Sequence, residues 1–144
     1  MQKVVLLGST GSVGKSSLEV IEKNKDKYEI ACLVALSNED LIKKQAKRHK
    51  EAKIYIEKPR NKLSSKKFIN KNGLLKLISG KDIDIVIAAI SGSDGLELIY
   101  HSIVSGKKVL IANKEPLVMA GEFIVNEAKK YGAQIIPIDS EHCS

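Results

Sequence analysis

A glycine turn near the start of the chain has the spacing of a phosphate-binding turn. It runs GSTGSVG from Gly8 to Gly14 and follows the apolar stretch 4–7, so it joins a predicted strand to a predicted helix. Gly8 allows the strand to turn sharply, Gly11 removes the Cβ that would hold the backbone away from a phosphate, and Gly14 lets the helix lie close to the strand. The turn therefore predicts that a dinucleotide pyrophosphate binds at the helix N-terminus.

A second interpretation of this turn is the phosphate loop of nucleoside triphosphatases, because Gly14-Lys15-Ser16 matches the end of G-x-x-x-x-G-K-[ST]. The first glycine of that loop would have to stand where the chain has Ser9. Gly8 comes one residue too early. The spacing therefore favours the dinucleotide turn, and we expect Lys15 to be a solvated residue of the first helical turn.

The composition indicates one globular domain. The 144 residues include 43% hydrophobic and 4% aromatic side chains, which is enough for an aliphatic core without tryptophan. No apolar run approaches the roughly 20 residues of a membrane span, and no charged leader with a cleavage site precedes Val4. Cys32 and Cys143 lack metal-ligand spacing, so we expect Cys32 to pack in the core. We expect a cytoplasmic protein without a membrane partner.

The chain is basic, with 24 Lys and Arg against 17 Asp and Glu and a net charge of +7. The densest segment is KKQAKRHK at 43–50. Because it lacks interleaved aromatic residues, we expect a solvated helix face there and no nucleic-acid partner. A positive field of this kind would attract phosphorylated substrates.

Short apolar runs alternate with helical stretches, which is typical of βαβ units and a parallel sheet. We predict an α/β, Rossmann-like fold with a doubly wound, mostly parallel sheet and helices on both faces. The predicted strands are 4–7, 30–35, 53–56, 83–90, 109–112 and 134–138. The first helix buries Val13, Leu18 and Ile21 and ends near Asn24, and the second starts at a capping box from Ser37 to Asp40. Later helices are predicted at 73–78, 96–105 and 117–131, with a loop at 58–67.

In a doubly wound sheet, ligands bind beyond the carboxyl ends of the strands, so the residues that follow each strand are functional candidates. The second strand is followed by Leu36-Ser37-Asn38, without the acidic residue that an NAD site uses to bind the ribose 2′-hydroxyl. Glu39 and Asp40 come one step later and are expected to be first-turn helix charges. This favours NADP. Because no arginine follows the strand, Lys43 or Lys44 would have to reach the 2′-phosphate.

The fifth predicted strand is followed by Asn113-Lys114-Glu115, directly before Pro116, a residue that begins helices well. A helix cap would need only one of these three polar residues. The spacing alone leaves two interpretations open: a functional cluster, or a capping Asn113 followed by two solvated side chains.

The sixth predicted strand is followed by Asp139 and Glu141, which are two residues apart. In an extended chain both carboxylates point to the same side, and oxygen ligands of this kind suit Mg²⁺ or Mn²⁺. A solvated acidic cluster is the alternative interpretation of this pair.

Taken together, the segments 8–14 (GSTGSVG), 112–115 (ANKE) and 137–142 (PIDSEH) resemble the 1-deoxy-D-xylulose 5-phosphate reductoisomerase family. The resemblance covers the whole chain, and the second and third segments, taken as a pair, are the part of it that is specific to this family. The stretch AAISG at 88–92 is also similar to the segment of this family that lines the cofactor site.

The resemblance implies an enzyme of the non-mevalonate (MEP) isoprenoid pathway that rearranges 1-deoxy-D-xylulose 5-phosphate and reduces the product with NADPH to 2-C-methyl-D-erythritol 4-phosphate. It implies that Mg²⁺ or Mn²⁺ holds the substrate. Position by position, it implies that the pyrophosphate is contacted by Thr10, Gly11, Ser12 and Val13, and the 2′-phosphate by Ser37 and Asn38. It implies nicotinamide contacts from Asn113 and Glu115, and catalytic or substrate contacts from Lys114, Ser140 and Glu141. The implied metal ligands are Asp139 and Glu141.

The chain departs from the family at two points. Leu36-Ser37 stands where many members have Gly-Lys, which removes a lysine charge near the 2′-phosphate, and Cys143 stands where asparagine or serine is common. Members of the family continue into catalytic and C-terminal domains. The resemblance therefore implies that residues 1–144 are an NADPH-binding domain, inactive alone and homodimeric at full length. A non-catalytic NAD(P)-binding module and a semialdehyde-dehydrogenase-like reductase domain are the alternatives.

Overall fold

Strands and helices alternate along the part of the chain that the computed structural model describes, residues 1–90, 95–112 and 115–138. In chain order they are β1 (Gln2–Leu7), α1 (Ser12–Lys23), β2 (Tyr28–Ala35), α2 (Glu39–Lys47), β3 (Lys53–Ile56), α3 (Lys71–Ser79), β4 (Ile83–Ala88), α4 (Leu96–Val104), β5 (Lys108–Ile111), α5 (Glu115–Tyr131) and β6 (Gln134–Pro137).

The strands form one sheet in the order β3-β2-β1-β4-β5-β6, and every pair of neighbours is parallel. The strand order reverses at β1, because β2 lies on one side of it and β4 on the other. This confirms the predicted doubly wound sheet and makes it fully parallel within the described residues. The reversal places the end of β1 at the crevice where such folds bind their ligands.

Helices cover both faces of the sheet, as predicted. Because successive strand residues point to opposite faces, β1 places Val5 and Leu7 in one core and Val4 and Leu6 in the other. The core around Val4 and Leu6 is covered by α1 and α2, and the other core by α3, α4 and α5. The helices before and after the reversal therefore lie on opposite faces, which is what right-handed crossovers require.

The inward face of α1 is largely as predicted, since Leu18 and Ile21 are buried. Val13 is only half-buried because it lies in the first turn, beside the open glycine turn. Cys32 is fully buried in the core, as expected, and burial raises the pKa of its thiol to about 12. The thiol therefore stays protonated at neutral pH and acts as a small apolar side chain.

The capping box predicted from Ser37 was wrong by one residue. Asn38 is the N-cap of α2, and its Oδ1 accepts a hydrogen bond from the backbone of Leu41 at 3.2 Å. The Ser37 backbone carbonyl instead accepts from the amide of Glu39. Serine and asparagine are equally good N-cap residues, so the local sequence does not separate the two positions.

Other boundaries shift for identifiable reasons. The strand β4 ends at Ala88, two residues earlier than predicted, and α3 begins two residues earlier because Asn70 caps it through Gly73. The helix α5 contains a kink at Ala120, where φ is −140° and ψ is 27°. The lysines at 43, 44 and 47 are exposed, as expected for a solvated helix face. Among the described residues, none of the helices is long and apolar enough to cross a membrane.

Candidate functional site

The glycine turn begins with a backbone conformation that needs glycine. Gly8 has a φ of +89°, in the left-handed region, and a Cβ there would lie 2.6 Å from the carbonyl oxygen of Ala89. The amides of Gly8 and Ser9 both donate to the carbonyl of Val34, at 2.8 and 3.0 Å. The turn is therefore held between β2 and the end of β4, and the segment 88–90 lies directly against it. Ser91 and Gly92, from the same predicted cofactor-lining stretch, lie outside the described residues.

The other two glycines of the turn have different roles. A Cβ on Gly14 would overlap the carbonyl oxygen of Gly8 and lie 2.8 Å from the Cα of Ser9, which confirms that Gly14 lets the helix approach the strand. Among the described residues, a Cβ on Gly11 would approach only the Gly8 carbonyl oxygen, at 3.8 Å. The space outside Gly11 is open, so this glycine keeps the backbone accessible from outside, as a bound phosphate requires.

The N-terminus of α1 has the properties of an anion site. Its N-cap is Gly11, no side chain in the described structure caps it, and its first turn has no acidic residue. The first amides of a helix lack intrahelical acceptors and carry partial positive charge, so they attract phosphate. Lys15 is exposed in this region, as predicted. In the same segment Thr10 and Val13 are half-buried and Ser12 is exposed.

Ser9 adds a buried polar atom to the turn. Its Oγ is fully buried and has no hydrogen-bond partner within the described residues, while its backbone carbonyl accepts from Nε2 of Gln45 at 2.9 Å. Gln45 is itself buried, so this contact attaches α2 to the turn. The open space at Gly11, the uncapped N-terminus of α1 and the unpartnered Ser9 hydroxyl together fit the pyrophosphate of a dinucleotide.

The turn after β2 contains the predicted adenosine-side residues Ser37 and Asn38, both exposed. Asn38 uses its Oδ1 as the helix cap. The prediction that Glu39 is simply a first-turn charge was incomplete, since it is buried and its carboxylate accepts from the amides of Arg60 and Asn61 at 2.7 and 3.2 Å, and from Asn61 Nδ2 at 3.3 Å. Glu39 therefore anchors the loop after β3.

The charge of Glu39 is stabilised by these contacts. Burial favours the neutral acid and would raise the pKa of Glu39, but the hydrogen bonds from Asn61 and Arg60 and the charge of Lys43 outweigh it and lower the pKa below its ordinary value of 4.5. The carboxylate is therefore ionised at neutral pH and is hydrogen-bonded to the loop through both oxygens.

Sequence reasoning missed an arginine at this place. The loop that Glu39 anchors brings Arg60 to the N-terminus of α2, with Nη2 at 3.7 Å from Oδ2 of Asp40. The signal was available in part, because Arg60 follows the third strand and neighbouring parallel strands end at the same edge of a sheet. Its position still depends on a hydrogen bond from its backbone amide to Glu39, 21 residues away, which fixes the loop.

The predicted nicotinamide, substrate and metal residues Asn113, Lys114, Asp139, Ser140 and Glu141 lie outside the described residues, and Glu115 is described only as the backbone start of α5. The strands before them do converge. Ile111 pairs with Pro137, and the amide of Ala112 donates to the carbonyl of Ala88 at 2.9 Å. Both segments therefore start at the same sheet edge as the glycine turn. Within the described residues, no group of three or more His, Cys, Asp or Glu could hold a metal.

The sheet order and the glycine turn at its reversal define a dinucleotide-binding domain of the Rossmann class. The family model described as 1-deoxy-D-xylulose 5-phosphate reductoisomerase matches residues 4–121. The chain belongs to this family. Membership decides against the nucleoside-triphosphatase and semialdehyde-dehydrogenase interpretations of the turn.

Individual relatives agree with the family model. The 1-deoxy-D-xylulose 5-phosphate reductoisomerase of Glaesserella parasuis is 38% identical over 99% of this chain, and that of Thermodesulfovibrio yellowstonii is 40% identical over the same share. A reductoisomerase solved in complex with NADPH, fosmidomycin and magnesium superimposes on 99% of the chain with a TM-score of 0.84 and 33% identity. This chain spans about 39% of the length of the two curated relatives and 37% of that structure.

Proposed function

We propose that residues 1–144 are the NADPH-binding domain of a reductoisomerase of the MEP pathway, which converts 1-deoxy-D-xylulose 5-phosphate to 2-C-methyl-D-erythritol 4-phosphate. The observation that carries the proposal is the open, uncapped glycine turn at the reversal of the sheet, in a chain that belongs to this family. A related reductoisomerase was solved with NADPH bound, which supports the choice of cofactor.

In this proposal the turn residues bind the pyrophosphate. The amides of Ser12 and Val13 would donate to it, Gly11 leaves room for it, and the hydroxyl of Thr10 is available as a further donor. Gly8 and Gly14 act indirectly by fixing the shape of the turn. When bound, NADPH would supply the hydride, and the task of this domain is to fix its position.

The nicotinamide end of the proposed site is formed by the segments after β5 and β6. Asn113 and Glu115 would contact the nicotinamide, and Lys114 and Ser140 would contact the substrate. The support for this arrangement is that both strands end at the same edge as the glycine turn, together with the resemblance of both segments to the family.

Asp139 and Glu141 are the proposed metal ligands, because two carboxylates at this spacing are hard oxygen donors that fit Mg²⁺ or Mn²⁺. The ion would polarise substrate oxygens when bound. Glu141 is counted among the catalytic residues for this reason. The magnesium in the related solved reductoisomerase supports the assignment.

The proposal extends to the whole protein in three respects. The substrate is a phosphorylated sugar, supported by the phosphonate fosmidomycin in the related structure and by the net charge of +7. We further propose that the full-length protein is a homodimer and that it acts in the cytoplasm.

The test is turnover of the full-length protein with Asp139→Asn and Glu141→Gln. Each variant is expected to lower kcat by about 100-fold or more, because the metal acts on the reacting carbonyl. NADPH affinity should change little, since the pyrophosphate is bound elsewhere. Glu122→Gln, at an exposed position of α5, is the matched control and should be fully active.

The 144-residue chain itself should oxidise no NADPH with the substrate. Near-normal kcat in either carboxylate variant at saturating Mn²⁺ would show that the acidic pair is only a solvated cluster. Turnover by the 144-residue chain would show that the assignment of a separate catalytic domain is wrong.

A further inference from the structure

The loops after β2 and β3 lie side by side at the carboxyl edge of the sheet. The amide of Glu57 donates to the carbonyl of Ala35 at 3.0 Å, and the amide of Lys58 donates to the carbonyl of Leu36 at 2.8 Å. The parallel pairing of the two strands thus continues past their ends. Residues 58–61 consequently border the turn that contains Ser37 and Asn38.

Glu39 is the first acidic residue that follows this turn in the sequence, and it is unavailable to a ribose hydroxyl. Only 1% of the surface of Glu39 is accessible to solvent, and its two carboxylate oxygens accept three hydrogen bonds from Arg60 and Asn61. An NAD site needs a free carboxylate that accepts from the 2′-hydroxyl. In this chain that carboxylate faces inward and holds a loop in place.

Arg60 is held by this anchor in an orientation that helix stability does not explain. Its backbone amide is fixed to Glu39, while its guanidinium lies at the N-terminus of α2, 68% exposed and 3.7 Å from Asp40, whose side chain is 84% exposed. A cation at a helix N-terminus is unfavourable to the helix dipole. An exposed ion pair at this distance contributes little, so the guanidinium is free to exchange Asp40 for a stronger partner.

The other cations near the turn are less suited to that role. Lys43 lies 3.9 Å from the Glu39 carboxylate, and a lysine offers a point charge without a fixed fork of donors. A guanidinium matches a phosphate with two parallel hydrogen bonds. The expectation that Lys43 or Lys44 would reach the 2′-phosphate rested on the absence of an arginine, and the fold supplies one.

We propose that Arg60 binds the 2′-phosphate of NADPH and determines the preference of this chain for NADPH over NADH, with Glu39 as the positioning residue that fixes its loop. The inference rests on the proposed function, since it concerns one end of the same cofactor. The charge of Arg60 would also compensate for the lysine that many family members have at the position of Ser37.

The test is calorimetric titration of the 144-residue chain and its Arg60→Gln variant with NADPH and with NADH. We expect NADPH affinity to fall by about 10- to 100-fold, the effect of losing hydrogen bonds to a charged group, while NADH affinity stays unchanged. Arg60→Lys should restore part of the preference. Arg48→Gln is the matched control, because Arg48 is also exposed, lies at the other end of α2 and pairs with one carboxylate, Glu22.

Two results would contradict the inference, and a third would overturn the proposed function on which it rests. An unchanged ratio of NADPH to NADH affinity in Arg60→Gln would mean that another cation binds the 2′-phosphate. An equal loss of both affinities would mean that Arg60 only shapes the site. Failure of the folded wild-type chain to bind either nucleotide would instead overturn the proposed function, and the wild-type titration separates that case from the other two.

Discussion

The glycine turn after β1 and the loop after β3 are held by different kinds of contact. Backbone atoms fix the turn: Gly8 adopts a left-handed conformation against Ala89, and Gly14 packs on the carbonyl of Gly8. The loop after β3 is fixed by one buried side chain, Glu39, through the amides of Arg60 and Asn61. A site built from backbone suits the pyrophosphate that all dinucleotides share, whereas side chains can change to suit NAD or NADP.

This difference has a thermodynamic consequence. A backbone turn that leaves no space for a Cβ is changed only at the expense of the fold. A loop held by one carboxylate can be released while the sheet stays intact. Variants at Gly8 or Gly14 should therefore affect stability and all nucleotide binding together, and variants at the loop should affect nucleotide choice.

The largest effect is expected from Gly14→Ala. Its Cβ would overlap the Gly8 carbonyl oxygen, and relief of that overlap must move α1 away from β1. We expect a loss of about 3 kcal/mol in the free energy of unfolding and loss of nucleotide binding, measured by urea denaturation and calorimetry.

Gly121→Ala is the control for this substitution, because a Cβ there meets no described atom within 4 Å. Helix propensity predicts that it leaves stability unchanged or raises it by up to about 1 kcal/mol. Equal stability of the two variants would show that the close approach of α1 to the strand is not required.

Gly11→Val separates binding from folding within the same turn. The space at its Cβ is open and its φ of −79° suits any residue, so stability should change by no more than about 1 kcal/mol. The side chain would occupy the place proposed for the pyrophosphate, and NADPH affinity should fall by about 100-fold or more. Unchanged NADPH affinity in a folded variant would mean that the phosphate does not lie against Gly11.

The smallest effect concerns the anchor of the loop and depends on pH. Since the folded pKa of Glu39 lies below 4.5, its contribution to stability is fully present above pH 4.5 and is lost as the pH falls through the folded pKa. Glu39→Gln should therefore melt a few degrees below wild type at pH 7, and the gap should shrink in acid. The exposed Glu19→Gln is the control; an equal gap at every pH would contradict the assigned charge of Glu39.

The sequence predicted those parts of the molecule that depend on local pattern. All six strands were found because buried parallel strands appear as short apolar runs, and the turn was found because its three glycines are close in sequence. The doubly wound, parallel character of the sheet followed from the alternation of strands and helices. The role of each turn glycine could be argued before the structure, since backbone sterics do not depend on distant residues.

The parts that were missed depend on contacts between distant segments. Gln45 would be expected on a solvated face by its polarity, yet it is buried and donates to the carbonyl of Ser9, 36 residues away. Glu39 and Arg60 meet only because β2 and β3 are neighbours. No periodicity in the sequence encodes such pairs. The absence of an arginine directly after β2 in the sequence therefore did not exclude one close to this turn in the fold.

The most direct test of the account is calorimetry of the folded 144-residue chain with NADPH and NADH, with folding checked by circular dichroism. We expect saturable binding of NADPH and weaker binding of NADH, because the turn accepts either pyrophosphate and only NADPH gives Arg60 a phosphate to bind. A folded chain that binds neither nucleotide, or that prefers NADH, would contradict it.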